Sequence, residues 1–204
     1  MERILADIDA ALKSKDAKRE KVIAFSREII RRSGSAVLAV HKQDEAAKAL
    51  NLKEAQAALE GALEICREQQ EFYFTGPMPQ AFQEFAEAWI VASFAEKKDL
   101  PNPAELKVPV ESYLTGLADA AGEMRRYALD SLRRDEFEEA GRALASMEEI
   151  YTALKGFDFP RAVIPNLRRK VDIIRRLLEE TRGDVTLAHQ GMLIRGSIEK
   201  ALER

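Results

Sequence analysis

The sequence predicts an all-α protein, a single-domain antiparallel bundle of about six or seven helices over residues 1–204. Apolar residues recur at helical spacing through nearly the whole chain, and no segment alternates with period two and β-branched enrichment. The breaks between helical stretches are short, and neither an internal repeat nor a composition shift marks a second domain. These features are typical of helices packed around one core.

In the first half of the chain, three helices are predicted. The first covers about 18–48 and is preceded by a short helix at 2–13. Asn51 is predicted to cap the second helix, which reaches about residue 73. The break "TGPMPQ" then precedes a third helix that ends near residue 98, because its prolines suit an entry turn.

The second half continues the helical pattern after "KKDLPNP", which reads as a linker. A fourth helix is predicted from Pro109 to about residue 133 and a fifth over 135–155. After the break "KGFDFPRAVIP", a sixth helix covers about 166–182. Gly183–Asp184 is predicted to separate it from a last helix that ends the chain.

Composition limits the classes of protein that the chain can represent. Its 204 residues are 46% hydrophobic and 33% charged, as in an ordinary globular domain. The N-terminal residues show no signal-peptide core, and the longest apolar run, "AWIVASFA", is too short for a bilayer. Cys66, the single cysteine, excludes an internal disulfide and is more typical of a buried apolar position than of a reactive thiol. We therefore expect a cytoplasmic protein without a membrane partner.

Charge is unevenly distributed along the chain. The net charge of −3 argues against a generally basic nucleic-acid binder. Residues 18–32 and 161–182 nevertheless carry an excess of Lys and Arg, whereas 135–149 is acidic. The charge distribution is therefore compatible with a local basic groove and with a nucleic-acid partner.

Two glutamates interrupt the most apolar helix, "FQEFAEAWIVASF". Glu84 and Glu87 are three residues apart, so both carboxylates point to the same side. Burying even one charged carboxylate costs several kcal/mol without compensation. On an exposed helix such a pair is usually solvated charge, but a solvated face is hard to find in this segment.

A second acidic pair lies in "YLTGLADAAGEMRR", where Asp119 and Glu123 are four residues apart. Gly116, Gly122 and three alanines leave this helix almost without side chains. Two glycines cost roughly 1 kcal/mol each relative to alanine, which is tolerated where another backbone comes close. We therefore expect tight packing against a neighbouring helix; if that neighbour is the third helix, four carboxylates converge.

Converging carboxylates need protons, arginines or a divalent cation. Oxygen ligands favour Mg²⁺, Mn²⁺ or Ca²⁺ over zinc. A di-iron bundle site requires Glu-x-x-His pairs, whereas His41 and His189 follow Leu38 and Thr186 at that spacing. The Glu-x-x-Asp half of an all-α, Mg²⁺-dependent nucleoside-triphosphate pyrophosphatase is also missing.

Several segments resemble the translin family in the same order. They are "TGPMPQAFQEFAEA", "VPVESYLTGLADAAGEMRR", "FSREIIRRSGSAVLAVHK" and "GFDFPRAVIPNLRRKVDIIRRLLEE", and the resemblance covers roughly residues 18–183. The acidic segments are more similar to the translin-associated factor X type of subunit than to translin itself. With the short linker "KKDLPNPAEL", the chain resembles the compact archaeal or prokaryote-type members of the family.

The resemblance implies a hollow homo-oligomer, an octamer, that binds RNA and also single-stranded DNA. For the factor X type it implies a metal-dependent endoribonuclease with Glu84, Glu87 and Asp119 as catalytic metal ligands. Glu123 is a fourth candidate ligand, and the cofactor is Mg²⁺ or Mn²⁺. Such an ion binds a scissile phosphate oxygen and activates a water molecule. The alternative is a non-catalytic single-stranded nucleic-acid-binding or scaffold protein of the translin type.

Three further residues are candidates for RNA binding by the same resemblance. Arg126, on the same helix face as Glu123, can hold a phosphate or pair with an acid. His41 and Lys42 match the end of the family's first long helix, and structural or solvated roles are their alternatives. By contrast, the basic run 168–170 is expected to be solvated or interfacial rather than RNA-binding.

Overall fold

The computed structural model describes residues 1–202, which form eight helices and no strand. The helices are α1 (Glu2–His41), α2 (Glu45–Glu68), α3 (Glu71–Phe74), α4 (Met78–Ala95), α5 (Pro103–Leu106), α6 (Val110–Arg133), α7 (Phe137–Lys155) and α8 (Leu167–Leu202). The predicted all-α class is confirmed. None of these helices is long and apolar enough to cross a membrane.

Two compact units make up the chain, Met1–Tyr113 and Leu114–Arg204. The first contains α1 to α5 and the first residues of α6. The second contains the rest of α6 together with α7 and α8. The single domain predicted over 1–204 stays a prediction.

The first unit is built on an antiparallel hairpin of α1 and α2. Both helices bury a stripe in which steps of three and four residues alternate, the spacing of a coiled-coil seam. In α2 the stripe runs Lys48, Leu52, Ala55, Leu59, Ala62, Cys66, and in α1 it runs from Val22 to Val40. The ion pair of Lys18 with Glu68, 2.7 Å long, and that of Arg32 with Glu54 confirm the antiparallel register.

Gly61 lies where the ring of Phe25 crosses α2. A Cβ atom added to Gly61 would lie 2.6 Å from Cζ of Phe25, closer than van der Waals contact allows. The absence of a side chain at Gly61 therefore leaves the space that the Phe25 ring occupies in the hairpin.

Helix α4 packs against α1, α2 and the short helix α3. It buries residues on nearly every side, including Met78, Phe82, Phe85 and Ile90, none of which is exposed to solvent. Ser26 of α1 donates a hydrogen bond to the sulfur of Met78 over 3.1 Å. The apolar third helix predicted from the sequence is thus confirmed as a core helix.

The second unit is an up-down-up arrangement of α6, α7 and α8. Arg142 of α7 lies over the ring of Tyr127 of α6, and Arg182 of α8 pairs with Glu148 of α7 over 2.7 Å. Helix α7 buries Ala140, Ala143, Met147, Ile150 and Leu154, again in steps of three and four. The unit therefore follows the same packing periodicity as the first hairpin.

Several predicted helix ends are wrong in the first half. The predicted helices at 2–13 and 18–48 form one helix that ends at His41, and α2 is capped by Asp44, which accepts from Ala47 N–H over 2.9 Å. Asn51 is no cap: it lies inside α2 and donates to the carbonyl of Ala47. The turn depends on Gln43, whose φ of 56° is a left-handed conformation that glycine usually marks.

In the second half, the predicted linker contains the short helix α5, with a capping box between Asn102 and Glu105. The predicted break at Gly183–Asp184 does not exist, because α8 continues to Leu202. Residues 203–204 of the predicted last helix lie outside the described residues. Beyond Thr181, α8 has no buried residue, and Leu187, Leu193, Ile194 and Ile198 are exposed.

Candidate metal and nucleic-acid site

Glu84 and Glu87 lie side by side on the first half of α4, in the first unit. Both residues are half-buried, whereas Phe85 and Ala86 between them are fully buried. Complete burial of two carboxylates on an apolar core helix would have a large desolvation cost. Their partial access to solvent reduces that cost. Both make further polar interactions within the molecule.

Asp119 lies on α6 and is held by a lysine from the start of α8. The Lys170 ammonium donates to both carboxylate oxygens of Asp119, over 2.5 Å and 2.7 Å. The two side chains are 21% and 27% exposed, respectively, so water screens the pair only in part. The expectation of a merely solvated or interfacial Lys170 is wrong, because its charge compensates a carboxylate predicted to bind a metal.

Glu123 lies one turn further along α6 and is half-buried. Arg126 lies 3.9 Å from its carboxylate, so the ion pair is loose, and 52% of the Arg126 side chain is exposed. A Cβ atom added to Gly122 would meet no atom within 4 Å. Close approach of another backbone, expected from the sequence, therefore does not account for this glycine.

Arg125 is a site residue that the sequence reasoning missed. Its guanidinium donates to the hydroxyl of Thr181 over 2.8 Å and to Asp184 over 3.2 Å, and it lies 3.2 Å from Glu180. The arginine thus joins α6 to α8 beside the acidic pair of α6. No local sequence signal pointed to Arg125, because its partners Thr181 and Asp184 are 56 and 59 residues away along the chain.

His41 and Lys42 lie at the end of α1, in the first unit. His41 is half-buried and is the last residue of the helix, whereas Lys42 is exposed. The backbone N–H of Lys42 donates to the carbonyl of Leu38 and so closes the helix. The predicted RNA-binding residues are therefore distributed over both units, because Arg126 belongs to the second.

The four predicted ligands share the donor chemistry of a site for a hard divalent cation. All four predicted ligands are carboxylates with partial access to solvent, the ligand type that Mg²⁺ and Mn²⁺ prefer. No group of three or more His, Cys, Asp and Glu side chains that could hold a metal ion occurs within residues 1–202. The complete ligand set therefore stays a prediction.

Cys66 is buried and free, and burial raises the pKa of its thiol. The expected buried apolar role of this cysteine is confirmed. Burial and the raised pKa both disfavour the reactive thiolate form of this residue of the α2 stripe.

A model of the translin family matches residues 17–181. The chain belongs to the translin family. The match includes α4 and α6, and therefore all four predicted metal ligands of this translin-family protein.

Similar proteins cover most of the chain. An uncharacterised protein of Methanocaldococcus jannaschii is 32% identical over 191 residues, which are 93% of this chain and 84% of that protein. Two solved structures, AfC3PO and an AfC3PO–duplex RNA complex, are 33% and 30% identical. Each has a TM-score of 0.84 and covers 93% of this chain and 98% of its own. Apo-NeC3PO, at 21% identity, has a TM-score of 0.83 over 90% of this chain and 96% of its own, and shows the fold alone.

Proposed function

We propose that this translin-family protein is a divalent-metal-dependent endoribonuclease that cleaves single-stranded RNA. The observation that carries the proposal is the half-buried pair Glu84 and Glu87 on a core helix. Two carboxylates three residues apart on one helix present the oxygen donors that a hard divalent cation takes. In a nuclease of the translin-associated factor X type, these two carboxylates would bind the divalent cation.

RNA as the substrate is supported by the similarity to AfC3PO, a protein whose structure contains duplex RNA. The second unit of this chain offers cations for phosphate binding, including the exposed guanidinium of Arg126. We extend the proposal to single-stranded DNA as a second ligand, because hydrolysis by a metal-activated water needs no 2′-hydroxyl.

Glu84, Glu87 and Asp119 would hold Mg²⁺ or Mn²⁺, with Glu123 as a fourth ligand. The bound ion supplies a Lewis acid for the scissile phosphate and lowers the pKa of a water molecule. Lys170 keeps the Asp119 carboxylate oriented and charge-compensated before the cation binds, since it contacts both oxygens. Arg125 fixes α6 against α8 beside them, so the acidic side chains start from a defined position.

A homo-octamer is the proposed assembly, and the cytoplasm the proposed location. Support for assembly comes from two exposed apolar surfaces. One is formed by Ile4, Leu5, Ile8 and Leu12 of α1, and the other by Leu187, Leu193, Ile194 and Ile198 of α8. Each follows one long helix, and such contiguous apolar surface usually contacts another molecule.

The decisive experiment is incubation of the purified protein with end-labelled single-stranded RNA in Mg²⁺, Mn²⁺ or EDTA. Cleavage is expected with metal, should leave 5′-phosphate products, and should stop in EDTA. Asp119→Asn should lower cleavage by orders of magnitude, because each 1.36 kcal/mol of lost transition-state stabilisation is tenfold in rate. Asp130→Asn, on the same helix but outside the proposed ligand set, is the matched control.

The double variant Glu84→Gln with Asp119→Asn should cleave little more slowly than either single variant, because ligands of one ion act as a unit. RNA affinity in EDTA should stay level or rise when a carboxylate is neutralised. Cleavage by Asp119→Asn at the wild-type rate would disprove the nuclease. Binding without cleavage by the wild type would instead identify a translin-type binding protein.

A further inference from the structure

An exposed aromatic pair lies between α7 and α8, in the turn "GFDFPRAVIP". Phe157 and Phe159 are 43% and 56% exposed, and their ring centroids are 6.3 Å apart at an interplanar angle of 43°. Exposing two phenylalanine rings in one turn has a hydration cost of the kind that marks a binding surface. Neither ring belongs to the proposed metal site, so the pair has no role in the proposed cleavage reaction.

The rings open onto a cleft of about 720 Å³ that lies entirely within the second unit. Its floor is apolar, because Ile164 and Leu167 are only 7% and 3% exposed. A volume of this size is within the ordinary range for small-ligand sites, ~300–1,000 Å³. The cleft therefore suits a bounded group such as one nucleotide rather than a flat protein surface.

Three arginines surround the cleft: Arg161, Arg168 and Arg169. Arg168 pairs with Asp158 over 2.5 Å, whereas Arg161 and Arg169 form no ion pair within residues 1–202. Asp172 is the other carboxylate of the lining, so cations outnumber anions by three to two. The charge of the cleft thus complements a phosphodiester.

We propose that this cleft binds an unpaired nucleotide of single-stranded RNA, with the base against Phe157 or Phe159 and the phosphate on Arg161 or Arg169. Aromatic side chains are platforms for bases of any sequence, and neighbouring cations follow the backbone. A nucleotide inside a duplex has its faces covered by its neighbours and does not fit this role. The inference rests on the proposed RNA function but uses none of its metal ligands.

Binding of labelled oligouridylate of about 12 nucleotides, a length typical of such sites, tests the cleft in EDTA. Phe159→Leu keeps an apolar side chain but removes the ring, and should weaken binding at least about fivefold. Phe159→Trp should restore it, whereas Phe74→Leu, at a residue 71% exposed elsewhere in the chain, should have no effect. A blunt RNA duplex of the same length should bind wild type and Phe159→Leu alike.

The role of the arginines can be tested separately, through the salt dependence of RNA affinity. Neutralising one phosphate contact should reduce the slope of log affinity against log salt by about 0.7 for a single strand. We expect this for Arg161→Gln or Arg169→Gln and not for Arg133→Gln, whose side chain is also largely exposed. A slope unchanged in both cleft variants would overturn the assignment of the phosphate.

Three outcomes separate the inference from the function on which it rests. If the wild type binds neither strand nor duplex, the RNA-binding function fails and the cleft with it. If the wild type binds and both Phe157→Leu and Phe159→Leu bind equally well, only the cleft is wrong. If these variants instead lower the particle mass in light scattering, the aromatic pair is a protein interface and the inference is overturned.

Discussion

Lys170 contacts both carboxylate oxygens of Asp119, at 2.5 Å and 2.7 Å, and so joins the first turn of α8 to the middle of α6. The ammonium occupies the two oxygens with which a divalent ion would coordinate. A cation entering the proposed site therefore competes with a charge that the protein supplies itself. In the absence of metal, the same contact compensates the negative charge of the Asp119 carboxylate.

Replacing this lysine should strengthen metal binding. In Lys170→Met the competing ammonium is gone, so Mn²⁺ should bind more tightly than to the wild type, as measured by calorimetry or electron paramagnetic resonance. Lys155→Met, a lysine beside Tyr151 at the end of α7, serves as the control and should leave the affinity unchanged. Equal Mn²⁺ affinity in wild type and Lys170→Met would show that Asp119 is no ligand.

The buried lysine of α2 predicts a pH-dependent stability. Lys48 has 3% of its side chain exposed, pairs with Glu45, and lies 2.6 Å from Glu96. Hydrogen bonds from Lys48 and Lys98 hold the carboxyl pKa of Glu96 below its ordinary value of 4.5. Glu96→Gln should lower the free energy of unfolding by about 1–3 kcal/mol at neutral pH, since Glu45 remains as a partner.

Because the folded-state pKa of Glu96 is depressed, this contribution is present above pH 4.5 and disappears as pH falls through the folded value. Urea unfolding of wild type and Glu96→Gln should therefore converge in acid. Lys98→Gln removes the exposed second partner of Glu96 and should change stability by less than about 0.5 kcal/mol. A constant difference between wild type and Glu96→Gln down to strongly acidic pH would contradict the role of the ion pair.

Gly61 should respond to alanine differently from a glycine in open space. Gly141→Ala, where an added Cβ meets no atom within 4 Å, should stabilise the protein by about 0.5–1 kcal/mol through helix propensity. Gly61→Ala should gain less or lose stability, because Phe25 must move. In the Phe25→Ala background, Gly61→Ala should recover the gain seen at Gly141. Equal effects of Gly61→Ala in both backgrounds would disprove the contact.

The exposed end of α8 should take part in self-association. Ile194 and Ile198 are 62% and 55% exposed and lie one turn apart on the helix. Wild type should scatter light as a multiple of 22.9 kDa, and the variant Ile194→Glu with Ile198→Glu as a smaller particle with unchanged helicity. Leu50→Glu, at an exposed position of α2, is the control. A wild-type monomer at micromolar concentration would count against any oligomer.

Helix type and helix faces were predictable because they depend on local spacing. The steps of three and four residues that bury α2 and α7 are visible in the printed sequence, and the apolar surroundings of Glu84 and Glu87 indicated a core helix. Helix ends were less predictable. Gln43 adopts a left-handed conformation without being glycine, so no residue signal marked the end of α1. Gly183 lies inside α8, where Arg125 holds the following Asp184 and helps to keep the helix unbroken.

The sequence by itself determined the all-α class, the amphipathic stripes and the acidic pairs on α4 and α6, because each follows from residues within a few turns of one another. Only the tertiary structure decided which charges meet. Lys170 is 51 residues from Asp119, and Thr181 is 56 residues from Arg125. Such pairs form when separate helices pack, and a local pattern carries no record of the partner that packing brings within hydrogen-bonding distance.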